Sequence, residues 1–166
     1  MRSISVIICT RKRADSLRET LRVLAAADRT GIAVEVLVVD NSPGDRSTKN
    51  VVESFTESLS SVYLVEPRPG KSYALNRALD AGPKGDIIAI LDDDMSPEPQ
   101  WFQGVFAISD RWPDKGFFTG RSYLIWPEGP VPKWARHPSL TGWAFSVMGG
   151  GSEDRCCRAG RWFSGN

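Results

Sequence analysis

The sequence is poor in histidine and cysteine and lacks any long apolar run. Its 166 residues include one histidine, 21 lysines and arginines, and 20 aspartates and glutamates, which gives a formal net charge of +1. A single histidine, His137, cannot build a multi-histidine metal site. The near-zero net charge argues against nucleic acid as a partner. No apolar run approaches the roughly 20 residues that a membrane-crossing helix needs, so we expect no transmembrane segment.

The three cysteines do not suit a disulfide framework. Their number is odd, Cys9 lies in an apolar run, and Cys156 and Cys157 are adjacent, which fits neither a structural disulfide nor a metal site. We therefore expect reduced thiols and a cytoplasmic location. A peripheral position at the inner face of the membrane stays open, as does a homo-oligomer.

Familiar catalytic signatures are absent as well. No G-x-G-x-x-G follows a strand-like run, which disfavours a dinucleotide oxidoreductase. Neither G-x-x-x-x-G-K-[ST] nor G-x-S-x-G occurs. Any chemistry must therefore come from another arrangement of side chains.

The first hundred residues alternate between apolar runs of strand length and segments with helical periodicity. The apolar runs predict strands at 3–9, 34–39, 61–65 and 86–91. The periodic segments predict helices at 14–27, 46–59 and 71–81, with a further short helix at 99–110. Strands that are apolar on both faces and alternate with helices predict an α/β fold, in which a mainly parallel sheet is covered by helices on each side.

Polar side chains follow each predicted strand at the same edge of the sheet. In open α/β sheets, ligands bind beyond the carboxyl ends of the strands, so these residues predict where the site lies. They are Thr10-Arg11, Asp40-Asn41, Glu66-Pro67-Arg68 and Asp92-Asp93-Asp94.

The three consecutive aspartates are the most specific feature. Their charges repel, no basic residue follows nearby in sequence, and a divalent cation such as Mg²⁺ or Mn²⁺ would relieve the repulsion. If the chain stays extended, Asp92 and Asp94 point to one side and Asp93 to the other. That spacing suits a bridge between a ribose and a metal-bound diphosphate. The alternative is a solvated acidic turn or a helix N-cap, but the position directly after a buried strand favours the metal site.

Two other groups at this edge have both a plain and a functional interpretation. Asp40 and Asn41 either belong to a simple turn or accept hydrogen bonds from a base or ribose. Arg11 and Arg13 either belong to a solvated cluster or face a diphosphate. Because the helix dipole disfavours cations just before a helix, an anionic ligand would offset that cost.

The third predicted helix begins directly after Pro69-Gly70. Lys71 at its start is either solvated or part of an anion site, because the N-terminus of a helix carries positive charge. Asn76 lies one turn inside the same helix and is either a surface residue or a ligand contact.

The order of these segments resembles a known enzyme family. The sequence contains, in order, SISVIICTRKRADSLRETL, VEVLVVDNSPGD, EPRPGKSYALNRALDAGPKGDIIAILDDDMSPEPQWF and WFSGN. Together they resemble the inverting family 2 glycosyltransferases of the GT-A fold, which is Rossmann-like. The resemblance is strong over the first hundred residues and patchy thereafter. It implies a donor-binding part at 1–96 and the start of an acceptor-side region at 97–166, within one structural domain.

The resemblance also implies ligands and contacts. It implies a nucleotide-sugar donor, expected to be a UDP-sugar, with Mn²⁺ or Mg²⁺, and a carbohydrate, lipid-linked or small-molecule acceptor. The Asp-x-Asp element matches the acidic triplet, with Asp92 and Asp93 at the nucleotide and Asp92 and Asp94 at the metal. Motif matching places further nucleotide contacts at Thr10, Arg11, Asp40, Lys71 and Asn76, and Arg13 and Asn41 join them by their position at the edge.

The family's catalytic carboxylate has no clear counterpart. Members usually carry it, often as a Glu-Asp pair, some tens of residues after the segment that resembles Ser164-Gly165-Asn166. The sequence ends at that segment, so we expect a truncated chain whose base lies beyond it. Glu153 and Asp154 are weak candidates, because they precede the segment instead of following it.

The implied reaction is an in-line displacement at the anomeric carbon, in which a base deprotonates the acceptor hydroxyl and the metal stabilises the departing diphosphate. The six tryptophans all follow residue 100. Most are expected in the core, with Trp126 and Trp134 the best candidates for an acceptor loop. A nucleotide-sugar binding module without turnover is the main alternative. A nucleotidyltransferase is disfavoured, because the loop after the first strand contains no glycine.

Overall fold

The computed structural model describes residues 1–44, 46–126 and 128–137. The chain divides into two compact units, Met1–Trp112 and Pro113–Asn166. The elements of the first unit are β1 (Arg2–Thr10), α1 (Ala14–Ala26), β2 (Ile32–Asp40), α2 (Ser47–Ser54), β3 (Ser60–Val65), α3 (Lys71–Asp80), β4 (Ile87–Asp92) and α4 (Trp101–Arg111).

The four strands form one parallel sheet in the order β3-β2-β1-β4. The predicted α/β fold is therefore confirmed. The register pairs Thr10 with Asp40 and Cys9 with Asp92, so β1, β2 and β4 end at the same level. This alignment brings together the polar residues that follow the strands.

Side chains alternate between the two faces of the sheet, and each face has its own core. Ile4, Val6 and Ile8 of β1 pack on one side with residues of α1, α2 and α4. Ile7 points to the other side and packs with Ala74 and Ala78 of α3. Period-two alternation in β1 thus places helices on both faces.

Strand β4 departs from the expectation that every strand is covered on both faces. Ile88 and Ile90 are 45% and 55% exposed. Within the described residues β4 lies at an edge of the sheet, and α3 packs on β1, β2 and β3. An apolar run is therefore not sufficient evidence for a strand buried on both faces.

The ends of two helices have clear local causes. Gly82 takes φ of 71° and donates its N–H to the Leu79 carbonyl, so α3 ends at a glycine as the sequence predicts. Helix α2 ends at Ser54, earlier than predicted, and the chain turns so that the Leu59 N–H bonds the Phe55 carbonyl at 2.7 Å.

Helix α4 belongs to the first unit. Phe102 and Phe106 are buried in the core on the α1 side of the sheet. The family resemblance instead implies an acceptor-side region that begins at residue 97 and includes this helix. In the second unit, residues 116–126 form neither helix nor strand, and a short 3₁₀ turn spans Lys133–Arg136. Among the described residues, every helix is too short or too polar to cross a bilayer.

Candidate functional site

A cleft of about 330 Å³ opens at the carboxyl edge of the sheet. It lies where β1, β2 and β4 end together, as the sequence predicts for ligand binding in an α/β sheet. Most of the predicted site residues meet here. The cleft is lined by Cys9, Thr10, Arg11, Arg13, Asn41, Gly70, Lys71, Asp92, Asp93 and Asp94.

The acidic triplet does not stay extended. Asp92 is the last residue of β4, and the chain turns at Asp93 and Asp94. Asp93 is only 4% exposed, whereas the side chains of Asp92 and Asp94 are about half exposed. The premise of an extended triplet therefore fails after Asp92, although Asp93 still differs from both neighbours in being buried.

Cations from distant parts of the sequence neutralise these carboxylates. The Arg13 guanidinium donates to Asp93 Oδ1 at 2.9 Å and to Asp94 Oδ2 at 2.7 Å. The hydrogen bond to Asp94 is the main reason that the pKa of Arg13 is raised. Lys71 forms an ion pair with Asp92, and Thr10 Oγ1 donates to Asp93 Oδ2 at 2.7 Å. Tertiary structure thus supplies the positive charge that the neighbouring sequence lacks.

Asp40 is buried beside the cleft but does not line it. Its Oδ2 accepts a hydrogen bond from the Tyr63 hydroxyl at 2.8 Å, and its Oδ1 accepts one from the Ser42 N–H at 2.9 Å. One carboxylate oxygen therefore holds the turn after β2, and the other is bonded to a side chain of β3. Apart from the position of Tyr63 in β3, nothing in the sequence indicates that its hydroxyl bonds Asp40.

Asn41 braces the loop between β3 and α3. Its Nδ2 donates to the carbonyls of Glu66 and Arg68 at 2.8 and 2.7 Å, and its Oδ1 accepts the Gly70 N–H at 2.8 Å. Both amide hydrogens are thus used by backbone. Gly70 precedes α3 with φ of 138°, a conformation that favours glycine, and it fixes where Lys71 begins the helix.

Glu66 and Arg68 stiffen the same loop. The Glu66 carboxylate accepts hydrogen bonds from the Arg68 backbone N–H and from its guanidinium at 2.7–2.9 Å. The guanidinium hydrogen bond is the main reason that the pKa of Glu66 falls to about 2. The same guanidinium lies 4.7 Å from the centre of the Tyr73 ring. The sequence places Glu66 at the sheet edge but does not reveal this pairing.

Three other residues complete the comparison with the sequence predictions. Arg11 is exposed and lines the cleft. Asn76 is exposed on α3 and does not line it. Cys9 does line it, and burial raises the pKa of its thiol to about 11, so it is a poor nucleophile near neutral pH.

The second unit contains a separate apolar cavity of about 400 Å³. Trp126 and Trp134, the candidate acceptor-loop residues, both line it, and Trp134 is largely exposed. Glu153 and Asp154 lie outside the described residues.

Two curated relatives match this chain over part of their length. Glycosyltransferase AglE of Haloferax volcanii is 33% identical over 128 residues, which cover 76% of this chain and 41% of that protein. The undecaprenyl-phosphate 4-deoxy-4-formamido-L-arabinose transferase of Edwardsiella ictaluri is 31% identical over 112 residues, covering 65% of this chain and 34% of that protein. The chain thus spans less than half the length of these relatives.

Solved structures share the fold. S. aureus TarS 1–349 in complex with UDP-GlcNAc aligns with a TM-score of 0.55 and 26% identity, over 67% of this chain and 32% of that one. The mannosyltransferase PcManGT of Pyrobaculum calidifontis, in complex with GDP-Man and Mn²⁺, aligns with a TM-score of 0.54 and 29% identity, over 68% and 32%. The parallel sheet with its flanking helices is accordingly of the GT-A type.

The family model for glycosyl transferase family 2 matches residues 5–142. This range contains β1 from Ser5 onward, the strands β2 to β4, the helices α1 to α4, and every residue that lines the cleft. With more than half of its sequence matched, the chain belongs to glycosyl transferase family 2.

Proposed function

We propose that this chain binds a nucleoside-diphosphate sugar, with a UDP-sugar as donor, and transfers the sugar to an acceptor hydroxyl with inversion at the anomeric carbon. The observation that carries the proposal is the meeting of carboxylates and cations, Asp92 and Asp94 with Arg13 and Lys71, around one cleft. A metal-bound diphosphate needs both charges. The complexes of the similar proteins TarS, with UDP-GlcNAc, and PcManGT, with GDP-Man and Mn²⁺, support the proposed donor site.

The residues of the cleft fit a divalent cation that a substrate helps to bind. Asp92 and Asp94 offer hard carboxylate oxygens, and their side chains are 54% and 48% exposed. Within the described part of the chain, no group of three or more His, Cys, Asp or Glu side chains converges on one point. Mg²⁺ and Mn²⁺ typically take one or two carboxylates, which Asp92 and Asp94 can supply, and complete their shell with phosphate oxygens and water. When bound, the cation stabilises negative charge on the departing diphosphate.

Basic groups of the chain would hold the diphosphate itself. Lys71 stands at the N-terminus of α3, where the helix dipole favours an anion. Arg13 faces the same cleft and presents a planar fork that suits phosphate oxygens. Thr10, Arg11, Asn41 and Asp93 line the cleft and remain proposed nucleotide contacts, whereas Asp40 and Asn76 would act from outside it.

A role in acceptor binding is proposed for the second unit. The apolar cavity around Trp126 and Trp134 supports an acceptor role for the second unit, because apolar sugar faces and lipid chains pack on aromatic rings. The name of the Edwardsiella relative includes undecaprenyl phosphate, which supports a lipid-linked acceptor. The same name supports the proposal that this chain works in the cytoplasm, at the inner face of the membrane. The catalytic base is proposed to lie outside the described residues, with Glu153 and Asp154 as weak candidates.

Binding and turnover need to be measured side by side. Calorimetry with UDP and with GDP, each with and without Mn²⁺, tests the donor site, and chromatography of a UDP-sugar incubated with the chain tests sugar release or transfer. Manganese-dependent binding with product supports the transferase. Binding without product supports a nucleotide-sugar binding module. The proposed donor site is wrong if neither nucleotide binds at any Mn²⁺ concentration.

A further inference from the structure

Thr20 contacts the acidic turn from the buried face of α1. It is 1% exposed and lies among the leucines that pack α1 on the sheet. Its hydroxyl oxygen is 3.0 Å from the carbonyl oxygen of Asp93 and 2.9 Å from that of Met95. Because Thr20 does not line the cleft, it reaches the turn from behind the site.

These partners are unusual for a helical threonine. Such a hydroxyl commonly bonds a carbonyl three or four residues earlier in its own helix. Here the two acceptors lie 73 and 75 residues along the chain. A hydroxyl has a single hydrogen, so Thr20 shares it between the two carbonyls. It thereby holds the backbone on both sides of Asp94.

The turn is held from the cleft side by different groups. Thr10 and Arg13 bind the Asp93 carboxylate, and Arg13 also binds Asp94. These contacts fix side chains, whereas Thr20 fixes backbone. Removing the Thr20 hydroxyl would leave the backbone of the turn without its buried donor, while the side-chain contacts remain.

We propose that Thr20 is a positioning residue for the metal–diphosphate site: it holds the backbone from Asp93 to Met95 so that the Asp94 carboxylate stands at the mouth of the cleft. The inference rests on the proposed function and names a residue that acts on that site through Asp93 and Asp94. Groups that orient metal ligands in this indirect way typically change metal affinity by about 10–100-fold when they are removed.

The test compares Thr20→Val with Thr20→Ser in the full chain. Valine keeps the shape and removes the hydroxyl, and serine keeps the hydroxyl. Thr48→Val is the matched control, because Thr48 is also a buried helical threonine and does not line the cleft. One readout is hydrogen exchange of the amides of residues 92–96 without ligand. The other is the factor by which Mn²⁺ increases the affinity for UDP.

Thr20→Val is expected to speed exchange at residues 92–96 and to reduce the manganese-dependent gain in UDP affinity by about 10–100-fold. Thr20→Ser is expected to keep the exchange rate and the manganese-dependent gain in UDP affinity near their wild-type values, and Thr48→Val to change neither quantity. If Thr20→Val fails to fold, Thr20→Ala takes its place. The proposal would be overturned if the amides of residues 92–96 exchanged in Thr20→Val at the wild-type rate. It would also be overturned if Thr20→Val changed the exchange rate and the manganese-dependent gain in UDP affinity no more than Thr48→Val does. If the wild-type chain binds no UDP, the proposed function fails, and the exchange measurement still decides whether Thr20 holds the turn.

Discussion

Lys71 at the start of α3 forms an ion pair with Asp92 at the end of β4, at the cleft that both residues line. Their side chains are each about half exposed. An exposed pair of this kind contributes little to stability, about 0–1 kcal/mol. It therefore separates readily when another anion and another cation enter, and we expect the lysine to move to a diphosphate and the aspartate to a metal.

Replacing Lys71 by methionine should weaken binding far more than stability. We expect Lys71→Met to lower the affinity for UDP with Mn²⁺ by about tenfold, because a charge-assisted hydrogen bond is lost. The free energy of unfolding should change by less than about 1 kcal/mol. Calorimetry and urea unfolding measure the two effects, with Lys71→Arg as the variant that keeps the charge. An unchanged UDP affinity in Lys71→Met would remove this lysine from the site.

Arg13 should matter for stability as well, because one of its partners is buried. Arg13→Met leaves the Asp93 carboxylate without its cation, and we expect a loss of about 1–3 kcal/mol in the free energy of unfolding. Arg22→Met is the matched control, since its partner Glu19 is exposed and the loss there should stay below about 1 kcal/mol. Urea unfolding of both variants checks this. Equal losses would show that burial of Asp93 has no energetic weight.

Gly85 lies where the loop before β4 passes close to β1. A Cβ atom added there would stand 2.3 Å from the backbone nitrogen of Ser5, whereas one added at Gly104 in α4 would meet nothing within 4 Å. We expect Gly85→Ala to destabilise the fold by about 3 kcal/mol or more. Gly104→Ala should stabilise it by about 0.5–1 kcal/mol, because alanine favours a helix. The melting temperature should thus fall in Gly85→Ala and rise in Gly104→Ala, and a melting temperature of Gly85→Ala at or above that of the wild type would contradict the close approach.

The Glu66–Arg68 pair should make stability depend on pH in the acid range. The pKa of Glu66 is lowered from 4.5 to about 2 in the folded chain. A lowered pKa means that the stabilisation is fully present above pH 4.5 and is lost as the pH falls from there through 2. The stability difference between wild type and Glu66→Gln should therefore shrink over this interval.

Urea unfolding at pH 6 and at pH 3 measures that difference. Arg68→Met should behave similarly, because it removes the donor that lowers the pKa of Glu66. A difference between wild type and Glu66→Gln that stays constant between the two pH values would show that the pair is not formed in solution.

The fold and the place of the site follow from local patterns. Apolar runs such as that of β1 predict the strands, leucine spacing predicts α1, and Gly82 predicts the end of α3. Since parallel strands end at one edge, the polar residues after them identify the cleft. Thr10, Asp92 and Asp94 are predicted in this way, whereas Lys71 is predicted from its position at the start of a helix.

The hydrogen bonds and ion pairs within the site do not follow from local patterns. Arg13 and Asp93 are 80 residues apart in sequence, and they meet only because β1 lies beside β4 in the sheet order. The triplet does not stay extended because the backbone turns at Asp93 and Asp94, and the partners of Asp93 at this turn, Thr10 and Arg13, are distant in sequence. Thr20 looks like one more residue on an apolar helix face, and only the three-dimensional structure shows its hydroxyl on the acidic turn.

The measurement that tests the account most directly is calorimetry of UDP binding with and without Mn²⁺ in Asp92→Asn, Asp94→Asn and the control Asp80→Asn, which changes an exposed carboxylate at the far end of α3. We expect both cleft variants to lose the manganese-dependent part of the affinity, and the control to keep it. Unchanged manganese dependence in both Asp92→Asn and Asp94→Asn would contradict a metal-bound diphosphate in this cleft.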